Sequence, residues 1–229
     1  MIKSKNKAKM SDDEEIMYVD NEVFVTVEET KQRSYHVHID DYFMYPAYYR
    51  KLQAILGNAT EDDTVLWHLN SGGGRLDVVL PIYHWMMQSE AHNVAMIEGE
   101  NASATSLLIM GAASVVAYPH CSLMLHGPAF GTPRDDMQKI VKFVEFEQKR
   151  LRGIMEEFYQ GFLTQEEIDA ISTYSTEIWM DSDEIIERLQ RRQDTEQSVT
   201  LMDEEDDVEE VIETLKPSKK RTKKKENVE

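Results

Sequence analysis

One cysteine, Cys121, is all the chain carries, so no intrachain disulfide can staple it and the pattern of a small secreted domain is absent. Bases are scarce: 25 Lys and Arg stand against 43 Asp and Glu, a net charge of -18, and most of such a surface repels a nucleic-acid strand. No stretch approaches the roughly 18 apolar residues of a membrane-spanning helix. The first fifteen residues, four lysines then four acids with no apolar run, make neither a signal peptide nor an anchor. These absences point to a cytoplasmic protein with no membrane or nucleic-acid partner. What is present is core material: 41% of the 229 residues are hydrophobic, with seven Phe, ten Tyr and three Trp. That is the size and content of one globular domain with tails.

Charge marks where the domain is expected to end. Residues 203–213 hold eight acids and no base, and 216–225 hold seven bases and no acid; both blocks read as solvated tail. The basic block lacks the interleaved aromatics of a nucleic-acid patch. The division is therefore a charged segment over 1–20, a folded domain over 21–192 and an acidic, then basic, tail over 193–229. Within the domain, Val23, Val25 and Val27, then Val37 and Ile39, alternate with polar residues as strands do. Pro46 opens a helix that runs to Gly57. Residues 64–70 and 93–99 are strands flanking a helix that contains Pro81. A short apolar helix follows, then strands at 114–118 and 122–126, a long amphipathic helix over 134–162, a capping box at Thr164 and Glu167, and a helix capped by Asp181 that ends near Arg191. Strands alternating with helices predict an α/β domain with a largely parallel sheet.

Three places could carry chemistry. Asn70-Ser71-Gly72-Gly73-Gly74 puts three glycines where a buried strand turns into a helix, so backbone N–H groups can face a negative ligand atom; it is neither of the glycine-rich nucleotide motifs, and a plain flexible turn fits equally. Gly99 to Ser106 places Ser103 between a strand and a small-residue helix. There it either caps the helix or acts as a nucleophile whose oxyanion meets the next N–H. His126 ends a strand ahead of Gly127-Pro128, and a serine hydroxyl needs such a base. Cys121 lies an odd number of positions from His126 and so faces away from it. His36 and His38 share a strand face but lack a third metal ligand in register.

The glycine turn, Gly99-x-x-Ala102-Ser103 some 30 residues on, Leu125-His126-x-Pro128 and the long helix together resemble the proteolytic subunit of the Clp protease over residues 22–190. The resemblance implies a crotonase-like α/β fold with layered sheets, a long handle helix and an axial role for the N-terminal segment. It implies a serine endopeptidase with Ser103 as nucleophile, His126 as base and Glu177 as orienting acid, the aromatic Trp179 fixing that alignment; Asp181 is the fallback acid. It puts the oxyanion donors at the N–H groups of Gly73 and Ala104. An extended peptide would lie along Gly72, Gly74 and Pro128. It implies no cofactor and no metal, and heptameric rings, single or stacked, fed by an ATP-driven AAA+ unfoldase. Gly72, Ala104, Gly127 and Ile178 depart from the family pattern, and glutamate's extra methylene displaces its carboxylate. Two other readings of the same core are therefore a catalytically weakened ring subunit and a phage-type prohead protease. A further one, acyl thioester binding at the glycine turn, has only Arg75 to meet a coenzyme A phosphate.

Overall fold

The computed structural model describes residues 14–19, 23–29, 33–129, 131–132, 134–173, 176–192, 198–202 and 207–215. In chain order these form β1 (Glu14–Val19), β2 (Val23–Glu29), β3 (Arg33–Ile39), α1 (Arg50–Asn58), β4 (Thr64–Leu69), α2 (Leu76–Gln88), β5 (His92–Ile97), β6 (Glu100–Ala102), α3 (Ser106–Gly111), β7 (Ser114–Ala117), β8 (Ser122–His126), α4 (Met137–Tyr159), α5 (Gln165–Thr173), β9 (Glu177–Asp181), α6 (Ser182–Arg191), β10 (Ser198–Leu201) and α7 (Val208–Leu215). Short 3-10 turns at Pro46–Tyr49 and Ser103–Thr105 lead into α1 and α3.

Seven strands make the main sheet in the order β1-β2-β3-β4-β5-β7-β10. The pairings are antiparallel from β1 to β3 and parallel beyond it. Because β4, β5 and β7 are buried on both faces, they read in sequence as near-continuous apolar runs. One face, with Val37, Ile39, Val65, Trp67, Leu69, Ala95, Ile97 and Val115, packs on the apolar sides of α1, α2 and α3. Pro81 sits inside α2, at the loss of one backbone hydrogen bond. The second sheet, β6-β8-β9, turns Leu123, Leu125 and Met180 into the same core with α4, α5 and α6. This is the layered α/β arrangement expected from the sequence. Among the described residues no helix is long and apolar enough to cross a membrane.

Caps set the helix boundaries. Asp136 accepts from the Lys139 N–H at 3.0 Å and starts α4 at Met137 rather than 134. Thr164 and Glu167 exchange bonds of 2.8 and 3.2 Å ahead of α5, and Asp181 accepts from the Glu184 N–H at 3.0 Å ahead of α6.

The two ends depart from the expected division. Residues 14–19, inside the N-terminal segment expected over 1–20, form an edge strand paired with β2. Beyond residue 192 the chain adds β10 beside β7 and lays α7 on the outer face of the main sheet, where Met202 and Ile212 are buried with Leu66, Val94, Met96 and Val116. The acid count hid the reason: Val208, Val211, Ile212 and Leu215 recur at i, i+3, i+4 and i+7, one apolar stripe on an acidic helix. The folded unit thus extends to Leu215. The basic run 216–225 and residues 1–13 lie outside the described residues.

Candidate active site

Parallel pairing of β6 with β8, Ala102 opposite Met124, sends the chain out of both strands on the same side of the second sheet. Ser103 follows β6 and His126 ends β8, so the register alone brings them to one edge. Ser103 adopts φ 55. A side chain in the left-handed region costs about 1–2 kcal/mol and needs surroundings that impose it. Those surroundings are explicit: the Ala102 N–H and the Thr105 hydroxyl both donate to the Ser71 carbonyl, at 2.9 and 3.0 Å, and the Ser106 hydroxyl donates to the Ser103 carbonyl at 2.6 Å. Thr105 and Ser106 are both 0% exposed. No side chain caps the 3-10 turn or α3, so Ser103 is not a helix cap. It stands on a strained strand-to-helix elbow, the geometry that lifts a hydroxyl clear of its own backbone.

The glycine turn packs under this elbow. Gly73, at φ 92, lies so close that a Cβ there would fall 2.5 Å from the Ala102 carbonyl oxygen and 2.8 Å from Ser103 Cβ. Ser71 is buried; its hydroxyl donates to the Asp41 carbonyl at 2.7 Å and accepts the Gly73 N–H at 3.2 Å. The Gly73 N–H, expected at the oxyanion position, is therefore turned into its own loop. The Phe43 N–H donates to the Gly73 carbonyl at 2.8 Å and the Arg75 N–H to the Phe43 carbonyl at 2.9 Å, a parallel bridge centred on Gly74. In such a bridge the central residue's own N–H and C=O point to the side away from the partner. Gly74 lines the groove with Gly72, Ser103 and Ala104.

β8 and β9 are antiparallel with His126 directly opposite Glu177, and directly opposed residues project from the same face about 5 Å apart. His126 lines both the groove of about 940 Å³ that holds Ser103 and an adjoining recess of about 460 Å³ that holds Glu177. The two side chains nevertheless have other partners. His126 Nδ1 lies 2.7 Å from the Gly127 carbonyl. A carbonyl only accepts, so the neutral ring carries its proton on Nδ1 and its lone pair on Nε2. The Glu177 carboxylate accepts the Trp179 indole N–H at 3.1 Å. Pro128 lines the groove beside His126, and Leu107, Phe143, Leu151 and Met155 give that groove an apolar floor.

Asp181 is not in this cluster: it pairs with Ser122 at the far end of β9 and caps α6. Cys121 is buried, and burial pushes its thiol up to about 11, far from a thiolate nucleophile. The sheet brings His68 and Glu98 up to His36 and His38, neighbours that sequence spacing did not reveal. The histidines meet each other, His36 Nδ1 to His68 Nε2 at 2.9 Å with His38 stacked on His68, and among the described residues no group could hold a metal ion. Burial, then the charges of His68 and His38, hold His36 down at about 4 despite Glu98.

Sequence reading passed over Asn101, Thr105, Ser106 and Tyr159. Asn101 is buried, its amide donating to the Leu69 carbonyl at 3.0 Å and its oxygen facing the Ser71 N–H. The available signal was polarity out of place, Thr105 and Ser106 at the head of an otherwise apolar helix.

A family model described as Clp protease matches residues 47–188, more than half of the chain and all of the groove residues from the glycine turn to Glu177. No curated protein matches the chain.

Proposed function

The chain belongs to the Clp protease family and is a peptidase of that general type, and from that premise we propose that it is a serine endopeptidase acting through Ser103. The strained elbow at Ser103 carries the proposal, supported by Ser103, Ala104 and His126 all lining one groove. A peptide enters extended, pairing with Gly72–Gly74 on one side and passing Pro128 on the other. His126 Nε2 takes the Ser103 proton as Oγ bonds the scissile carbonyl carbon. The resulting oxyanion accepts from the N–H groups of Ala104 and Gly74. The imidazolium then protonates the leaving amine, and water, deprotonated by the same nitrogen, releases the acyl group and restores Ser103. Glu177 serves as the orienting acid once Nδ1–H passes from the Gly127 carbonyl to the carboxylate opposite it.

The family generally forms rings and works with AAA+ unfoldases. For this chain a ring is supported by the first half of α4, where Met137 and Val141 lie one turn apart on one face and are exposed, an apolar pair suited to a subunit contact. A second reading, a ring subunit with weakened catalysis, draws on the bonds that His126 and Glu177 make elsewhere. The test is hydrolysis of a fluorogenic peptide by the wild type and by Ser103→Ala in the same oligomeric state. Hydrolysis lost only in the variant supports the peptidase. Equal hydrolysis by both removes Ser103 from the mechanism, and none by an intact wild-type assembly favours the weakened subunit.

A further inference from the structure

Behind the elbow runs a buried hydrogen-bond chain that the reaction as described does not use. The Tyr159 hydroxyl, on the last residue of α4, lies 2.6 Å from Ser106 Oγ, which lies 2.6 Å from the Ser103 carbonyl oxygen. Proton directions follow from valence. The carbonyl can only accept, so the one proton of Ser106 points to it, and Tyr159 must donate to Ser106. Tyr159 is buried at the inner wall of the groove, and burial, partly offset by the Ser106 bond, pushes its phenol up to about 12, which keeps that proton in place at any working pH.

The carbonyl that ends this chain belongs to the peptide unit joining Ser103 to Ala104. That unit is planar and trans, so its C=O and N–H point in opposite directions and cannot turn separately. Fixing the Ser103 carbonyl inward fixes the Ala104 N–H outward, toward the groove. Donation into a carbonyl also polarises its amide and strengthens the N–H as a donor, as in any hydrogen-bonded chain. The Ser103 carbonyl also accepts the Ser106 backbone N–H that closes the 3-10 turn, so the Ser106 hydroxyl is a second donor that sharpens the aim of a plane the turn already orients.

We infer that Tyr159 and Ser106 are positioning residues for the oxyanion donor, a Tyr159–Ser106–Ser103 carbonyl relay that aims and polarises the Ala104 N–H from the end of α4. The inference rests on the peptidase reading above and extends it to residues outside the groove's reacting atoms. It separates two kinds of effect. Substrate binding in the ground state does not need a strong oxyanion donor, whereas the tetrahedral intermediate does.

The experiment compares wild type, Tyr159→Phe, Ser106→Ala and the double variant for kcat and KM on a fluorogenic peptide and for affinity toward a peptide boronic acid. The latter forms a tetrahedral adduct on the serine. Melting temperatures confirm that each is folded. Tyr159→Phe should lower kcat about 10-fold with KM within twofold and weaken the boronate by a similar factor, a fraction of the 10²–10³ lost when an oxyanion donor is removed outright. The double variant should be no slower than Ser106→Ala, since both changes break one chain. It also strands no hydroxyl, so it reports even if a single variant fails to fold. Wild-type kcat in folded Tyr159→Phe or in the double variant overturns the relay, as does a loss confined to KM or losses that multiply. A wild type that neither hydrolyses peptide nor binds the boronate overturns the peptidase reading itself, and the relay's role with it.

Discussion

Gly73→Ala isolates the contact on which the site is built. At φ 92 an alanine carries the left-handed penalty of about 1–2 kcal/mol. Its Cβ would fall 2.5 Å from the Ala102 oxygen, 2.8 Å from Ser103 Cβ and 2.9 Å from the Ala104 nitrogen. Ordinary contact begins near 3.4 Å, so the two backbones must separate by about 0.5–0.9 Å. Overpacking of this kind costs about 1–3 kcal/mol, and the two terms together predict a melting point lowered by about 4–20 °C at 2–4 °C per kcal/mol. A kinetic loss should accompany the stability loss and persist where the variant is fully folded. A displacement approaching 1 Å at the nucleophile and its oxyanion donor corresponds to about 10²-fold in kcat/KM, measured on a fluorogenic peptide at a temperature where the variant is folded. Gly57→Ala is the control: no atom lies within 4 Å of its Cβ position in α1, and activity should be unchanged with a gain of up to about 1 kcal/mol. A Gly73→Ala protein with wild-type kcat/KM and melting point would refute the packing of the glycine turn against Ser103.

Glu177→Gln should reduce kcat at least 10-fold, while Asp181→Asn should keep kcat and lose at most about 1 kcal/mol of helix capping; the reverse order of kinetic loss would reassign the acid. Burial raises the Asp63 carboxyl, but bonds from Arg33 and Thr60 outweigh it and hold the group at about 2 against an ordinary 3.8. Its stabilisation is therefore complete above pH 3.8 and lost as pH falls through about 2. With Arg33 38% exposed, that is roughly 1–2 kcal/mol, and Asp63→Asn should lose it at pH 7 and flatten the acid limb of the unfolding curve. An unaltered limb would contradict this. Ile212→Asp should undock α7, at about 2–3 kcal/mol of lost apolar burial. Leu66, Val94, Met96 and Val116 would then be open to a hydrophobic dye and residues 208–215 to protease. Unchanged dye binding and proteolysis would show that α7 does not cover that face.

The parts of this fold legible in sequence are those where one signal dominates. β4, β5 and β7 are apolar enough to be strands on composition, and Thr164-Glu167 and Asp181-Glu184 announce their helices because capping is a local interaction. The spacing from the glycine turn through Ser103 to His126 was readable because each sits at a strand end. What was hidden depends on tertiary context. The acid count over 203–213 masked the stripe from Val208 to Leu215, since a helix needs only one apolar face to dock. β9 was missed because Glu177 to Asp181 is half-exposed and owes its extension to pairing with β8. The bonds of the Gly73 N–H to Ser71 and of its carbonyl to Phe43 were hidden as well, because no pattern of three adjacent glycines encodes them.

The most direct test of Ser103 as an activated nucleophile is labelling of the purified, assembled protein with a fluorophosphonate, followed by mass spectrometry of its peptides, with Ser103→Ala alongside. A single adduct on Ser103, absent from the variant, is the predicted result. An adduct on another serine, or peptide hydrolysis by a protein that takes up no label, would contradict it.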